Sequence, residues 1–271
     1  MRLYFAGGEN KSWLNAMVEA GVSNSLYSYY YLMEGRKHKE ADVDAFVANA
    51  SAVQSHLFID SGGFSAFSKG VQINLDDYIE FIKRYEDAID DYANLDVIGD
   101  HKASMRNQQY MEDAGMKPIP VFHWGSKLED LKAMVERYDR IALGGLVPHA
   151  RKKSRLFRWL DSCFSIIRNN AKVHGFGMSG LPVLLRYPWF SCDSTSWLGG
   201  TMRATIVYFE NGDLRTVSTK IKKHANHKSI DLTDQADKRW YQRVVHNARE
   251  YQKMEQYVTE VWRQRGIEWK D

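Results

Sequence analysis

The sequence predicts an α/β fold, and within that class a (β/α)8 TIM barrel, on three observations. Short apolar runs alternate with stretches of ten or more residues whose apolar side chains recur at helical spacing. The runs are continuously apolar, as expected of strands covered on both faces in a parallel sheet. Eight such runs can be counted, the number of strand–helix units that closes a barrel. A doubly wound open sheet is the other arrangement compatible with this pattern.

In chain order, RLYFAG (2–7) and SLYSYYYL (25–32) are the first two strands, apolar and rich in aromatic residues. HLFID (56–60) is the third and runs directly into Ser61, Gly62 and Gly63. LDDYIEFIKRYEDAIDD (75–91) reads as a helix, with Tyr78, Ile79, Ile82, Tyr85 and Ile89 on one stripe. NLDVIGD (94–100) and KPIPVFHW (117–124) are strands four and five, and LEDLKAMVERY (128–138) is helical. RIALGGL (140–146) is strand six, followed by the helical KKSRLFRWLDSCFSIIRN (152–169). KVHGFGM (172–178) and WFSCD (189–193) complete the eight.

After residue 198 the pattern changes. TIVYFENGDLRTVS (205–218) alternates around Asn211-Gly212, a two-residue hairpin signal. A basic connector follows, the elaboration spanning about 200–230, and a helix over about 234–264 carries Trp240, Val244, Ala248, Tyr251, Met254, Val258 and Val261 at helical spacing. The short linkers give no domain boundary, so residues 1–271 read as one barrel domain.

Hydrophobic content of 44%, charged content of 26% and a net charge of +3 describe an ordinary globular chain, so any nucleic-acid contact must rest on local patches. Cys163 and Cys192 are too few for a cysteine-rich zinc site or a disulfide framework, and both read as packing residues. His224 and His227 lack partners for a metal. The N-terminal apolar run is too short for a signal peptide, and no segment of about 20 apolar residues occurs. The expected location is cytoplasmic, including the case of a phage protein acting in its host, with no membrane contact.

In a (β/α)8 barrel, chemistry gathers at the C-terminal ends of the strands. Those ends carry Asp60, Asp100, His123, Gly144-Gly145, His174 and Asp193 on six consecutive strands. One such residue is ordinarily a loop starter or helix cap; six on one rim point to a site. Asp60 and Asp193 are the best-placed carboxylates. Two carboxylates at a sugar's anomeric carbon suit glycosyl transfer with retention, one as nucleophile and one moving protons. Gly62 and Gly63 would admit a ligand close to the backbone, and Phe64 could lie on a planar ring.

The ordered motifs DSGGFSAFS (60–68), ALGGLVP (142–148), HGFGM (174–178) and FSCDSTS (190–196) resemble those of the tRNA-guanine transglycosylase superfamily. The short chain is most similar to the phage and bacterial branch that inserts 7-deazaguanines into DNA. The resemblance implies Asp193 as nucleophile and Asp60 as general acid/base. It implies a base pocket of Ser61, Phe64, Asp100, His123, Gly144, Gly145, Leu146 and His174. Asp100 would read the guanine edge in preference to Asp96, which begins the fourth run. His123 stands where the family has Gln.

The family's zinc site of three cysteines and a histidine has no counterpart here, and no appended RNA-binding domain is visible. The implied reaction is therefore replacement of guanine in DNA by a free 7-deazaguanine such as preQ0, with no cofactor. The same exchange on tRNA, a barrel N-glycosidase, and a non-catalytic nucleic-acid-binding module are the alternatives. A base must leave its stack to reach such a pocket. Arg151, Lys152, Lys153 and Arg155, and Lys220, Lys222 and Lys223, form two basic patches suited to phosphates. The oligomeric state is not legible.

Overall fold

The computed structural model describes residues 1–9, 11–33, 40–199, 205–218 and 239–269. Its centre is an eight-stranded sheet of β1 (Arg2–Ala6), β2 (Asn24–Ser28), β3 (His56–Asp60), β4 (Asp91–Tyr92), β5 (Val121–His123), β6 (Arg140–Gly144), β7 (Lys172–Gly175) and β8 (Ser191–Ser194). Every pairing is parallel, in the order β4-β3-β2-β1-β8-β7-β6-β5. The first strand thus lies beside the last, and the sheet curls into a half-barrel.

The hydrogen-bonded ladder is not closed between β4 and β5. One isolated parallel bridge joins Ala93 to Ile119 across this seam. There the Ile119 N–H donates to Tyr92 O at 2.8 Å, and the Asn94 N–H to Ile119 O at 3.0 Å. Arg140, opening β6, forms an ion pair with Asp91, opening β4. The Tyr4 hydroxyl donates to the same carboxylate at 3.1 Å.

Strand alternation sorts the core in two. Leu3, Phe5, Tyr27, Leu57, Ile59, Phe122, Ile141, Leu143, Val173 and Cys192 pack outward with the helices. Tyr4, Ala6, Leu26, Phe58, Ala93, Ile119, Val121 and Ala142 form a separate cluster enclosed by the curl, with Phe176 packed on it. The parity that puts Phe58 and Val121 inside also puts Asp60 and His123 inside, two residues nearer the C-terminal rim. Cys163 and Cys192 are both buried in the outer core.

The covering helices are α1 (Lys11–Ala20), α2 (Tyr29–Met33), α3 (Glu40–Val53), α4 (Gly63–Ser68), α5 (Leu75–Arg84), α6 (His101–Asp113), α7 (Leu128–Arg137), α8 (Lys153–Ile167) and α9 (Leu181–Arg186). α5 starts where Asn74 caps the N–H groups of Asp76 and Asp77, and it buries Tyr78, Ile79, Phe81 and Ile82.

Two expectations from the sequence are corrected. The second strand stops at Ser28, and the tyrosines after it form α2, because Tyr29 packs on Tyr78 and Phe81 with ring centroids 5.0 and 5.1 Å away. Residues 94–100 are not a strand: β4 is Asp91–Tyr92, and the chain beyond is irregular. Side chains of α6 satisfy that backbone in place of a ladder. Asn107 donates to Leu95 O at 2.8 Å, and Ser104 Oγ accepts the Val97 N–H at 2.8 Å.

The hairpin falls where expected, as antiparallel β9 (Thr205–Glu210) and β10 (Asp213–Ser218). Asn211 and Gly212 both have positive φ, 52° and 74°, as a type I′ turn requires. The hairpin is tied to α10 (Arg239–Gln264): the Val207 N–H donates to Asn247 Oδ1 at 2.9 Å and the Phe209 N–H to Glu250 Oε2 at 2.7 Å. Residues 234–238 of the expected last helix lie outside the described residues. Among the described residues, no helix is long and apolar enough to cross a membrane.

Candidate active site

Asp60 ends β3, and the chain turns at once into α4. Its Oδ2 accepts the Gly62 N–H at 3.1 Å, while Ser61, fully buried, accepts the Gly63 N–H at 3.2 Å. Gly62 has φ +78°, and a Cβ there would lie 2.4 Å from Tyr30 Cβ; a Cβ on Gly63 would lie 2.9 Å from Asp96 O. The sequence reading assigned these glycines to close approach of a ligand. They are also required by α2 and the Asp96 loop, which press against the turn.

Asp96 sits in the irregular segment after β4. Its Oδ1 accepts from Ser61 Oγ at 3.2 Å, and its Oδ2 lies 2.5 Å from Nε2 of His123, at the end of β5. Both side chains are over nine-tenths buried. Gly144, on β6, packs on this imidazole: a Cβ there would lie 3.0 Å from His123 Cε1. Asp100, expected at a strand end, is exposed and caps α6, accepting the Ala103 N–H at 2.9 Å. With the fourth strand ending earlier, the rim carboxylate here is Asp96.

Asp193 lies on β8, 7% exposed. Its Oδ1 accepts the Gly177 N–H at 2.8 Å and faces His174 Nε2 at 3.3 Å. His174 Nδ1 lies 2.9 Å from Ser191 Oγ, so the Nε2–H tautomer satisfies both partners, with the serine hydroxyl donating to Nδ1. Oδ2 of Asp193 makes no hydrogen bond to a described residue and is left for a ligand.

His174 was expected against the face of a base. It is fully buried, packed on Phe58 and Phe176 at 4.8 and 4.6 Å, and serves Asp193 from beneath. Phe176, half-buried on the loop beyond, is the ring sequence reasoning passed over. Its place between the glycines of HGFGM was the available signal.

Charge gathers at this rim. Burial, then the carboxylates of Asp96 and Asp193, push the Asp60 carboxyl up to about 8. The Asp60 carboxyl therefore holds its proton to higher pH than an ordinary aspartate. Glu9, buried after β1, adds to the negative field and accepts the Ser28 N–H at 3.1 Å.

The remaining expected residues divide. Leu146 is core, 1% exposed, so only its backbone could meet a ligand. Gly145, with φ +70°, follows β6 and packs on Trp124. Phe64 is 51% exposed on α4. Arg151, Lys152, Lys153 and Arg155 are all exposed beyond β6. Lys220, Lys222 and Lys223 lie outside the described residues. No group of three His, Cys, Asp or Glu side chains among the described residues could hold a metal ion. No protein-family model matches the sequence, and a search of curated proteins produced no match.

Proposed function

We propose that the protein is a base-exchange transglycosylase that replaces guanine in DNA by a 7-deazaguanine through a covalent glycosyl-enzyme, on a (β/α)8 barrel completed across the seam between β4 and β5. The observation that carries this reading is the division of labour between two carboxyl groups at one rim. Burial and neighbouring carboxylates push the Asp60 carboxyl up to about 8, while Asp193 has one oxygen held between the Gly177 N–H and His174 Nε2 and the other open.

Asp193 Oδ2 attacks C1′, forming a C–O bond as the C1′–N9 bond breaks. The bonding pair leaves with guanine, which takes its proton from Asp60. The incoming base then gives its N9 proton to the Asp60 carboxylate, and N9 attacks C1′ and displaces Asp193. One N-glycosidic bond replaces another, so neither an energy source nor a cofactor is needed.

Asp96 and His123 are the groups we assign to the base edge, taking over the role the resemblance gave to Asp100. A carboxylate accepts from guanine N–H groups that adenine cannot offer in the same arrangement. The test is mass analysis of nucleosides after incubating the protein with preQ0 and either DNA or tRNA. Deazaguanine in DNA is expected. Label entering tRNA alone would move the reading to the tRNA exchange, and abasic sites without incorporation would make the protein a glycosidase.

A further inference from the structure

We infer that the mouth of this pocket is a cleft for an unpaired strand, in which the nucleotides flanking the reacting one stack on two aromatic platforms. The inference rests on the nucleic-acid reading above and adds the strandedness of the substrate.

The first platform is α4. Phe64 and Phe67 are 51% and 63% exposed, and their spacing puts both on one side of a helix that begins three residues after Asp60. The second is Trp124, directly after His123, whose ring stacks on His149 at 3.9 Å with 22° between planes. The Arg155 guanidinium lies 5.6 Å over the same indole. Between the platforms stands the base-reading pair. Gly63 abuts Asp96, Asp96 bonds His123, and Trp124 follows. The two sets of rings therefore bracket the point where a base would enter.

Charge selects the occupant. No acidic residue occurs between Asp60 and Asp76, or between Asp139 and Asp161, whereas these stretches carry Lys69, Arg151, Lys152, Lys153 and Arg155. Lys69 Nζ sits 5.0 and 4.9 Å over the rings of Tyr30 and Tyr31 at the end of α4. None of the four cations between 151 and 155 forms an ion pair with a described residue. The floor is the reverse, with Asp60, Asp96, Asp193 and Glu9. An acidic floor inside a basic rim keeps phosphates outside and admits an uncharged base. The exposed rings of α4 and the half-buried Trp124–His149 stack beside such a floor find base faces only on nucleotides that are not stacked in a duplex.

The test is equilibrium binding of the full chain to a labelled thymidine oligonucleotide with one central guanine. It is offered as the single strand, as the matched duplex, and as the RNA of the same sequence, with Phe67→Ala and His149→Ala variants. Phe67 is exposed and His149 half-buried, and unchanged melting temperatures confirm folding. The single DNA strand is expected to bind at least about tenfold more tightly than the duplex, and each variant to lose roughly tenfold on the single strand. The salt slope should stay the same, since no phosphate contact is removed.

Equal or tighter duplex binding, unchanged affinity in both variants, or no binding of any form overturns the inference. Tighter binding of the RNA strand keeps the cleft and reassigns its polymer. Stacking losses without any base exchange would leave the cleft standing and remove the proposed reaction. Exchange on duplex DNA with both variants unimpaired would do the opposite.

Discussion

Alkaline pH should stop the first half of the proposed reaction by removing the proton that Asp60 holds. An ordinary aspartate is ionised well below neutrality, but here burial and two neighbouring carboxylates move the carboxyl to about 8. About nine-tenths of the molecules are then protonated at pH 7, half at pH 8 and about one-tenth at pH 9. Because the neutral form is the acid, the rate of glycosyl-enzyme formation should fall about tenfold per pH unit above 8. The assay is single-turnover trapping of the covalent protein–DNA adduct on a denaturing gel between pH 6 and 10, with oligonucleotide affinity followed over the same range.

Asp96 is the largest charge effect after burial, so Asp96→Asn should shift this limb to lower pH. Asp60→Asn should slow adduct formation by about 10²- to 10⁴-fold and abolish the limb. The same shift has a stability counterpart. Between the usual carboxylate value and about 8 the folded state holds a proton that the unfolded chain has released, so stability falls as pH rises through that window. A flat rate from pH 6 to 9.5, or a limb below pH 5, would refute the reasoning, because Asp60 would then be ionised under working conditions.

Asp193→Asn should abolish the adduct while leaving the fold intact, because the amide oxygen still accepts from Gly177 and His174; a gel and a melting curve check the two halves. His174→Phe removes a donor from Asp193 and strands the buried Ser191 hydroxyl, costing about 1–3 kcal/mol in denaturant unfolding. It should also slow adduct formation at unchanged oligonucleotide affinity. Gly62→Ala combines a left-handed backbone with a Cβ 2.4 Å from Tyr30. It should cost about 2–4 kcal/mol, read as a lowered melting temperature.

The strand ends that carry Asp60, His123, His174 and Asp193 were legible because each closes an apolar run whose alternation is fixed by burial. The hairpin was legible because Asn-Gly has few other places to go. What sequence could not show was where a run stops being a strand. NLDVIGD has a strand's composition, yet Ser104 and Asn107 of the next helix take its backbone bonds, which moves the site carboxylate from Asp100 to Asp96. SYYYL fails likewise: its tyrosines form a helix, anchored by Tyr29 on Tyr78 and Phe81. Burial depth was equally invisible, so His174 reads as a pocket wall although it lies beneath Asp193. These misreadings share a cause, since partners distant in sequence decide each conformation.

The interruption between β4 and β5 gives the pocket a mechanical character. Asp96 follows β4 and His123 ends β5, so their hydrogen bond crosses the edge where the backbone contributes a single bridge. The pair is a clasp on a joint of the curled sheet that lacks a backbone ladder. In the proposed reaction a base bonded to both residues becomes a further rung at that joint. Recognition and the integrity of the sheet then draw on the same few bonds, and an occupied pocket is a stiffer protein. Slower amide exchange at Asn94 and Ile119 is where that stiffening would register.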